Sequence, residues 1–330
     1  MGIDISKKKI DIALIDGSGE IISEQIVVNT ATAIASLLEK LTRKLHIAKA
    51  DLLICCEETG IYSRPLQKAC VKAGFNLWVE MAYKIKKATT ELRGKSDRWD
   101  ALRIAQYAKR YEDKVKLYKE PEQACQKLQT LLHGRDALLL QVNQLEQQIN
   151  ESKDFDPDKN KLLKQCYQKP LTALKNAIKK IENSIAKLKE QDASMKQKID
   201  LIKSIPGIGE QTALNFMVYT RNFTLFDTPN HLASYAGVAP FANESGTIIK
   251  KPRVSGFANH KLKKLLHLAA MSATRAKGDL RDYYIRKVKE GKNKMLVLNN
   301  VRNKLVHRMF AVLKKGEPYI IIKSEPALAL

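Results

Sequence analysis

An acidic residue set into the first apolar strand of the chain is the feature that most limits how this sequence can fold. Met1-Gly2-Ile3-Asp4-Ile5-Ser6-Lys7 reads as a short strand carrying one carboxylate, and a second amphipathic strand follows at once, Lys9-Ile10-Asp11-Ile12-Ala13-Leu14-Ile15. The turn Asp16-Gly17-Ser18-Gly19 then leads to a third strand over Ile21–Val28. A carboxylate in a buried strand is costly unless something pairs with it, and the usual partners are a metal ion or a phosphate-bound cation. Asp4 therefore predicts further acids brought beside it. Two stretches supply them. Leu52-Leu53-Ile54-Cys55-Cys56-Glu57-Glu58-Thr59-Gly60 is an apolar strand that ends in acids. Gly94-Lys95-Ser96-Asp97-Arg98-Trp99-Asp100-Ala101 opens a helix with two acids three residues apart, hence on one face.

An acid on the first strand, one at the end of a later strand and one or two on a following helix describe a ribonuclease H-like metal site. Carboxylate oxygens suit Mg²⁺, and two-metal sites use them to hold the attacking and leaving oxygens of a phosphodiester. The charge of the whole chain agrees with such a substrate. Over 330 residues Lys and Arg number 58 against 35 Asp and Glu, a net charge of +23, which points to nucleic acid or an anionic membrane. The membrane is the weaker reading, because the basic residues are spread along the chain and no apolar run reaches spanning length. The opening residues match a loose myristoylation pattern but are better used as a strand. Five cysteines, Cys55, Cys56, Cys70, Cys125 and Cys166, show neither metal-ligand spacing nor a disulfide framework, which suits a reducing cytosol.

Taken in order, residues 1 to about 110 alternate strands and helices. A helix is expected over 30–45, with Ile34, Leu37, Leu38, Leu41 and Leu45 on one face. A strand over 52–56, a helix over 62–73 stopped by Gly74, and a strand over 76–79 follow. Lys84, Lys86, Lys87 and Arg93 make a basic approach to the Asp97/Asp100 helix, which runs to about Arg110. This is an α/β domain of mixed sheet. From about Glu122 the pattern is helical, with Leu138, Val142, Leu145 and Ile149 at spacings of four and three. After the breaker Asp154-Phe155-Asp156-Pro157-Asp158, heptad spacing returns at Leu171, Leu174, Ile178, Ile181, Ile185 and Leu188. It continues at Met195, Ile199 and Ile202, interrupted only at Asp192. This predicts a helical hairpin or coiled coil serving as a spacer or oligomerisation element. The turn Pro206-Gly207-Ile208-Gly209 and the helix after it look like a helix-hairpin-helix, which offers backbone N–H groups to a DNA phosphate. A polar, irregular stretch is expected at Phe241-Ala242-Asn243-Glu244-Ser245-Gly246-Thr247, then a cationic amphipathic helix over 260–274 and a last helix over about 293–313.

Several motifs now coincide in one order: Gly2-Ile3-Asp4-Ile5-Ser6-Lys7, Glu57-Glu58-Thr59-Gly60-Ile61-Tyr62, Lys95-Ser96-Asp97-Arg98-Trp99-Asp100-Ala101, Ile205-Pro206-Gly207-Ile208-Gly209, Ala233-Ser234-Tyr235-Ala236-Gly237-Val238-Ala239-Pro240 and Glu244-Ser245-Gly246-Thr247. Together they resemble the IS110/IS1111 family of insertion-sequence transposases, over nearly the whole chain, and 298–319 is similar to that family's closing Arg-Lys-Leu helix. The resemblance implies a RuvC-like (RNase H-like) domain over 1–115, a coiled-coil or helical hairpin over 116–200 and a mainly helical C-terminal transposase domain over 201–330. It implies a catalytic and metal-binding tetrad at Asp4, Glu57, Asp97 and Asp100, with Glu57 preferred to Glu58 because the family pattern is Glu-x-Thr-Gly. Mg²⁺ is the implied ion, with Mn²⁺ as a substitute. The implied nucleophilic serine is Ser245; Ser255, in Val254-Ser255-Gly256, is its rival. After it, Gly256-Phe257-Ala258-Asn259-His260-Lys261 replaces the family's usual Lys-Arg-Gly. The implied partners are donor and target DNA, a structured non-coding "bridge" RNA and further copies of the chain as a dimer or tetramer. The implied location is a bacterial or archaeal cytosol, in association with the nucleoid when active.

Three function classes follow. The first is a recombinase that uses both the metal site and the serine, through a covalent phosphoserine–DNA intermediate. The second is a metal-dependent RuvC-like nuclease that hydrolyses DNA junctions, leaving the serine incidental. The third is an ATP-dependent actin or sugar-kinase-like fold, which also opens with Gly-Ile-Asp; no later Gly-rich phosphate loop supports it. A non-enzymatic RNA-binding scaffold would explain the charge and leave the four acids without a role. Tyr283 and Tyr284 stand in a helical setting that reads as packing.

Overall fold

The computed structural model describes residues 1–88, 96–245, 248–254 and 258–320, with the backbone alone for 240–245 and 248–254. Ser255, Arg93, Lys95, Gly246 and Thr247 lie outside the described residues. The chain divides into two compact units, Met1–Glu120 and Pro121–Leu330.

In the first unit, strands β1 (Gly2–Ile5), β2 (Lys9–Ile15), β3 (Ile21–Val28), β4 (Leu53–Glu57) and β5 (Asn76–Glu80) form one sheet in the order β3-β2-β1-β4-β5. β1 and β2 pair antiparallel, as do β2 and β3, whereas β4 runs parallel to both β1 and β5. The mixed sheet is thus as the alternation of strands and helices predicts. Because side chains alternate across a pleated strand, each strand assigns its residues to two faces. One face carries Ile3, Ile5, Ile10, Ile12, Ile54, Cys56 and Leu77, buried against Ile34, Leu38 and Leu41 of α1 (Ala31–Leu45) and Leu66 and Cys70 of α2 (Arg64–Ala73). Thr30 caps α1 by accepting a hydrogen bond from the Ala33 backbone N–H, and Gly74 ends α2 in a left-handed conformation.

The opposite face carries Gly2, Asp4, Asp11, Ala13, Cys55, Glu57 and Trp78, and receives α4 (Asp97–Arg110). Ala13 packs with Ala101 and Leu102, while Cys55 and Trp78 pack with Ile104, Tyr107 and Ala108. Gly2 fixes this arrangement. A Cβ there would overlap the Ala101 carbonyl and the Ala105 backbone, so the helix lies directly on the strand. A short helix, α3 (Ala82–Ala88), occupies the lysine-rich stretch in which sequence reasoning saw only basic residues; Ile85 is its buried side chain.

The second unit is mostly helical. α5 (Gln123–Ser152) and α6 (Pro157–Gln191) form a hairpin, with Asp156 capping α6 and Pro157 in its first turn. Arg135 pairs with Glu182 at 2.8 Å, Lys175 with Glu146 at 2.7 Å, and Tyr167 donates to Gln148 at 2.7 Å, a descending order that defines antiparallel packing. Ile178 and Ile185 are the heptad residues it buries most deeply. The heptad run is not one helix: Asp192 breaks it, capping α7 (Ala193–Lys203) with its side chain. Met195, Ile199 and Ile202 are therefore buried on a helix of their own, which packs with α8 (Glu210–Tyr219) and α12 (Lys294–Lys315); α9 (Pro229–Tyr235), α10 (His260–Arg275) and α11 (Asp279–Lys289) also pack with α12. A second correction concerns 240–254, expected to begin as an irregular stretch. It is an antiparallel pair, β6 (Pro240–Ser245) and β7 (Ile248–Val254), in which Ser245 is in register with Ile248.

The contact at Gly2 gives a direct test. Gly2→Val should force α4 away from the sheet and lower stability by about 2 kcal/mol or more, since overpacking a tight contact costs roughly 1–3 kcal/mol and here the obstacle is backbone. Urea denaturation measures it; an unchanged midpoint and slope would contradict the described packing.

Candidate functional site

The face of the sheet beneath α4 is where the acids gather. Asp4 of β1 stands in register with Asp11 of β2. Two residues along from the paired positions Gly2 and Cys55, β1 carries Asp4 and β4 carries Glu57, so the pleat puts both on that face. Glu58 lies past the end of β4. Ser96 caps α4 through its hydroxyl and sets Asp97 and Asp100 in the first turn, where the positive end of the helix dipole favours carboxylates.

These groups feel one another. Burial pushes the Asp4 carboxyl up to about 6, and the negative charges of Asp100, Asp97 and Asp11 add to the effect. Glu57 is raised as well, by burial first and then by Asp4 and Asp100, with Lys86 opposing. Four of the acids are therefore within electrostatic reach of one another around Asp4, and Glu57 joins them through Asp4 and Asp100.

Two cations already engage the helix acids. Lys9 Nζ lies 3.0 Å from Asp97 Oδ2 and 3.0 Å from Asp11 Oδ2, and Arg103 donates to Asp100 Oδ1 at 2.9 Å. Among the described residues no three His, Cys, Asp or Glu side chains are arranged to hold a metal ion. The donor set nonetheless fits a hard divalent cation: all its members are carboxylates, and their mutual repulsion is relieved by added positive charge.

Sequence reasoning overlooked three members of this neighbourhood. Asp11 is 4% exposed and faces Asp4, a placement that the alternation Lys9-Ile10-Asp11-Ile12 already encodes. Lys9 shares its face. Glu80 is in register with Glu57 and is buried, accepting from Tyr107 at 3.3 Å and pairing with Lys84 at 3.0 Å. Its signal was lost because the strand was ended one residue early.

In the second unit, Ser245 ends β6, one position before residues outside the description. Tyr283 accepts a hydrogen bond from Asn300 at 3.3 Å and lies beneath Lys304, 4.7 Å from the ring centroid, in keeping with a packing role. The glycine turn before α8 has Gly207 at φ +91°, where a side chain would strike the Ala269 carbonyl and Ala273 of α10. The first residue of α8 is itself an acid: Glu210 pairs with Lys189 and Lys203, both at 2.8 Å. Among the described residues no helix is long and apolar enough to cross a membrane.

The sequence that folds into this mixed sheet and the mostly helical second unit matches two transposase family models. One, of the IS110 DEDD type, matches residues 1–152, and the other, described as the transposase IS116/IS110/IS902 family, matches residues 199–285. The two together span well over half of the sequence, and the chain belongs to this IS110 family of transposases. An IS110 insertion-element protein of 43.6 kDa from Streptomyces coelicolor is 34% identical over 119 residues, 36% of this chain and 29% of that protein. A pilin gene-inverting protein from Moraxella lacunata is 27% identical over 146 residues, 44% of this chain and 45% of that protein. An IS116 insertion-element protein of Streptomyces clavuligerus is 27% identical over 144 residues, 44% of this chain and 35% of that protein. The matches thus span less than half the length of these relatives.

The raised Asp4 carboxyl has a thermodynamic consequence. Its proton is held more tightly in the folded state, so the stability it contributes is present below its ordinary value of 3.8 and is lost as pH rises through about 6. Asp4→Asn should therefore stabilise the metal-free protein at pH 7. The ideal gain is at most about 3 kcal/mol, and solvent screening brings the expected value to about 1–2 kcal/mol. Chemical denaturation across this range should show the difference closing as pH falls from 6 to 4. Parallel pH profiles for parent and variant would show that Asp4 does not feel its neighbours.

Proposed function

We propose that this protein is a DNA recombinase of the transposase type, directed by a structured RNA, that cuts and rejoins strands through a serine nucleophile. The observation that carries the reading is that Asp4 and Glu57 share one sheet face with Asp97 and Asp100 of the α4 first turn near them, and that Asp4 is raised to about 6 by burial and by its acidic neighbours. Family membership and the +23 charge support DNA as substrate. The name of the Moraxella relative, a gene-inverting protein, supports rejoining rather than hydrolysis alone. The order β3-β2-β1-β4-β5, antiparallel and then parallel, supports an RNase H-like first domain over 1–115. The α5/α6 pair supports a coiled-coil segment over 116–200, and the remainder, over 201–330, is the transposase domain of this proposal. The protein would act in the cytosol, at the nucleoid, as a dimer or tetramer.

In this reading Asp4, Glu57, Asp97 and Asp100 would hold Mg²⁺, or Mn²⁺ in its place. The bound ion would supply positive charge to the phosphate and lower the cost of the oxyanion that leaves. Ser245 Oγ attacks a DNA phosphorus: the Oγ–P bond forms, the bond from phosphorus to the departing strand oxygen breaks, and the serine proton passes to a base while the departing oxygen takes one up. The phosphoserine ester keeps the strand competent for rejoining. Specificity comes from base pairing to the bound RNA, with the basic protein surface contacting phosphates.

The covalent step separates this reading from a RuvC-like nuclease. Ser245→Ala should bind DNA normally and form no protein–DNA adduct on a denaturing gel, and Ser255→Ala should keep forming it. Free hydrolysed ends from the parent with no adduct would favour the nuclease. An adduct mapping to Ser255, Tyr283 or Tyr284 would move the nucleophile.

A further inference from the structure

Lys9 holds an unusual place in the acid cluster. It stands two residues before Asp11 on β2, so the pleat sends both side chains to the α4 face. Asp11 is 4% exposed and requires a compensating charge at that depth; Lys9 supplies it, with its ammonium 3.0 Å from one carboxylate oxygen and 3.3 Å from the other. The same ammonium reaches 3.0 Å to Asp97, the first residue of α4, whose carboxylate is largely exposed. One lysine therefore ties the strand to the helix N-terminus and neutralises a member of the tetrad.

A surface ion pair with such an exposed acid contributes little to stability, typically under about 1 kcal/mol. Its position matters more than its strength. Asp97 belongs to the acids proposed to hold the divalent ion, and its oxygens are shared with an ammonium in the arrangement described. Arg103 does the same to Asp100 from within α4, but as a neighbour one turn along the same helix it moves with that helix. Among the described cations that pair with the acids of the α4 first turn, Lys9 is the one that spans two elements, and it is anchored by a buried acid, Asp11.

We propose that Lys9, seated on Asp11, is a resident counter-ion of the carboxylate cluster: it occupies Asp97 in the metal-free protein, gives it up when a divalent cation enters, and so sets how tightly that cation is held. The inference rests on the reading of the four acids as a metal site and deepens it. Lys9 is a positioning residue and Asp11 its fixed seat. Without Lys9, the acids repel one another more strongly, the metal-free state is less stable, and the divalent ion no longer competes with a built-in cation.

Isothermal titration calorimetry of Mg²⁺ and of Mn²⁺ into the full chain, stripped of metal and held at low ionic strength, reads this directly, with thermal melts in parallel. Lys9→Gln should bind either ion about ten-fold more tightly than the parent, as removal of a like charge at close range predicts, and should melt lower without metal. Lys9→Arg, which keeps the charge, should bind within about two-fold of the parent, a rescue that a merely structural role for the lysine stem would not predict. Equal affinities in parent and Lys9→Gln, or weaker binding by Lys9→Gln, would overturn the counter-ion role while leaving the metal site standing. Failure of every protein, Lys9→Gln included, to bind either ion, with Asp4→Asn giving the same trace, would overturn the metal reading and this inference with it.

Discussion

Helix α4 can rest on the sheet because Gly2 has no side chain, and that backbone-to-backbone approach decides where the acids of the first unit meet. The helix brings Asp97 and Asp100 to β1 and β2, where Asp4 and Asp11 already face one another. Ala101, Ala105 and Ala108, small side chains of the helix, are buried beneath it and allow the close approach. A residue with no functional group thus governs the electrostatics of those that have one.

The resulting cluster is a concentration of negative charge in a chain of net charge +23. In the proposed function both features serve one chemical requirement. A strand of nucleic acid is drawn by long-range positive potential, and its phosphates do not approach a bare set of carboxylates without a cation between them. The fold keeps the acids together in part by burial, which raises Asp4 and Glu57, and in part through Lys9 and Arg103, which each engage one acid of the α4 first turn. Helix-dipole charge at the N-terminus of α4 adds to these.

Much of this was legible in the sequence, for reasons specific to each element. The bounds of β2 and β3 followed from turn residues and alternation, and Asp97 and Asp100 were placed on one helix face by their spacing. The choice of Glu57 over Glu58 came from a family pattern, and the pleat of β4 supplies the physical counterpart, since Glu57 shares the face of Cys55. Asp11 was missed because a single acid in an alternating strand looks like a solvated position until the pairing register says what lies opposite, and Glu80 because the strand was ended at Val79, one residue short. The interruption at Asp192 was visible in the heptad run, but not that it starts a separate helix, because an N-cap residue need not disturb the spacing of apolar residues on either side. The stretch that holds β6 was read as irregular because Asn, Glu, Ser and Gly are poor strand formers; its pairing depends on a partner strand, β7, that composition does not reveal.

In the proposed function the acids under α4 hold a divalent metal. Fe²⁺ substituted into the metal-free protein, with ascorbate and peroxide, generates hydroxyl radicals that cut the backbone near the ion, and mass spectrometry maps the cuts. Cleavage should fall in the segments around Asp4, Glu57 and Asp97, from three elements distant in sequence and joined by one sheet face, and excess Mg²⁺ should suppress it. Cuts confined to other segments, or cuts at these three that Mg²⁺ leaves untouched, would contradict the account.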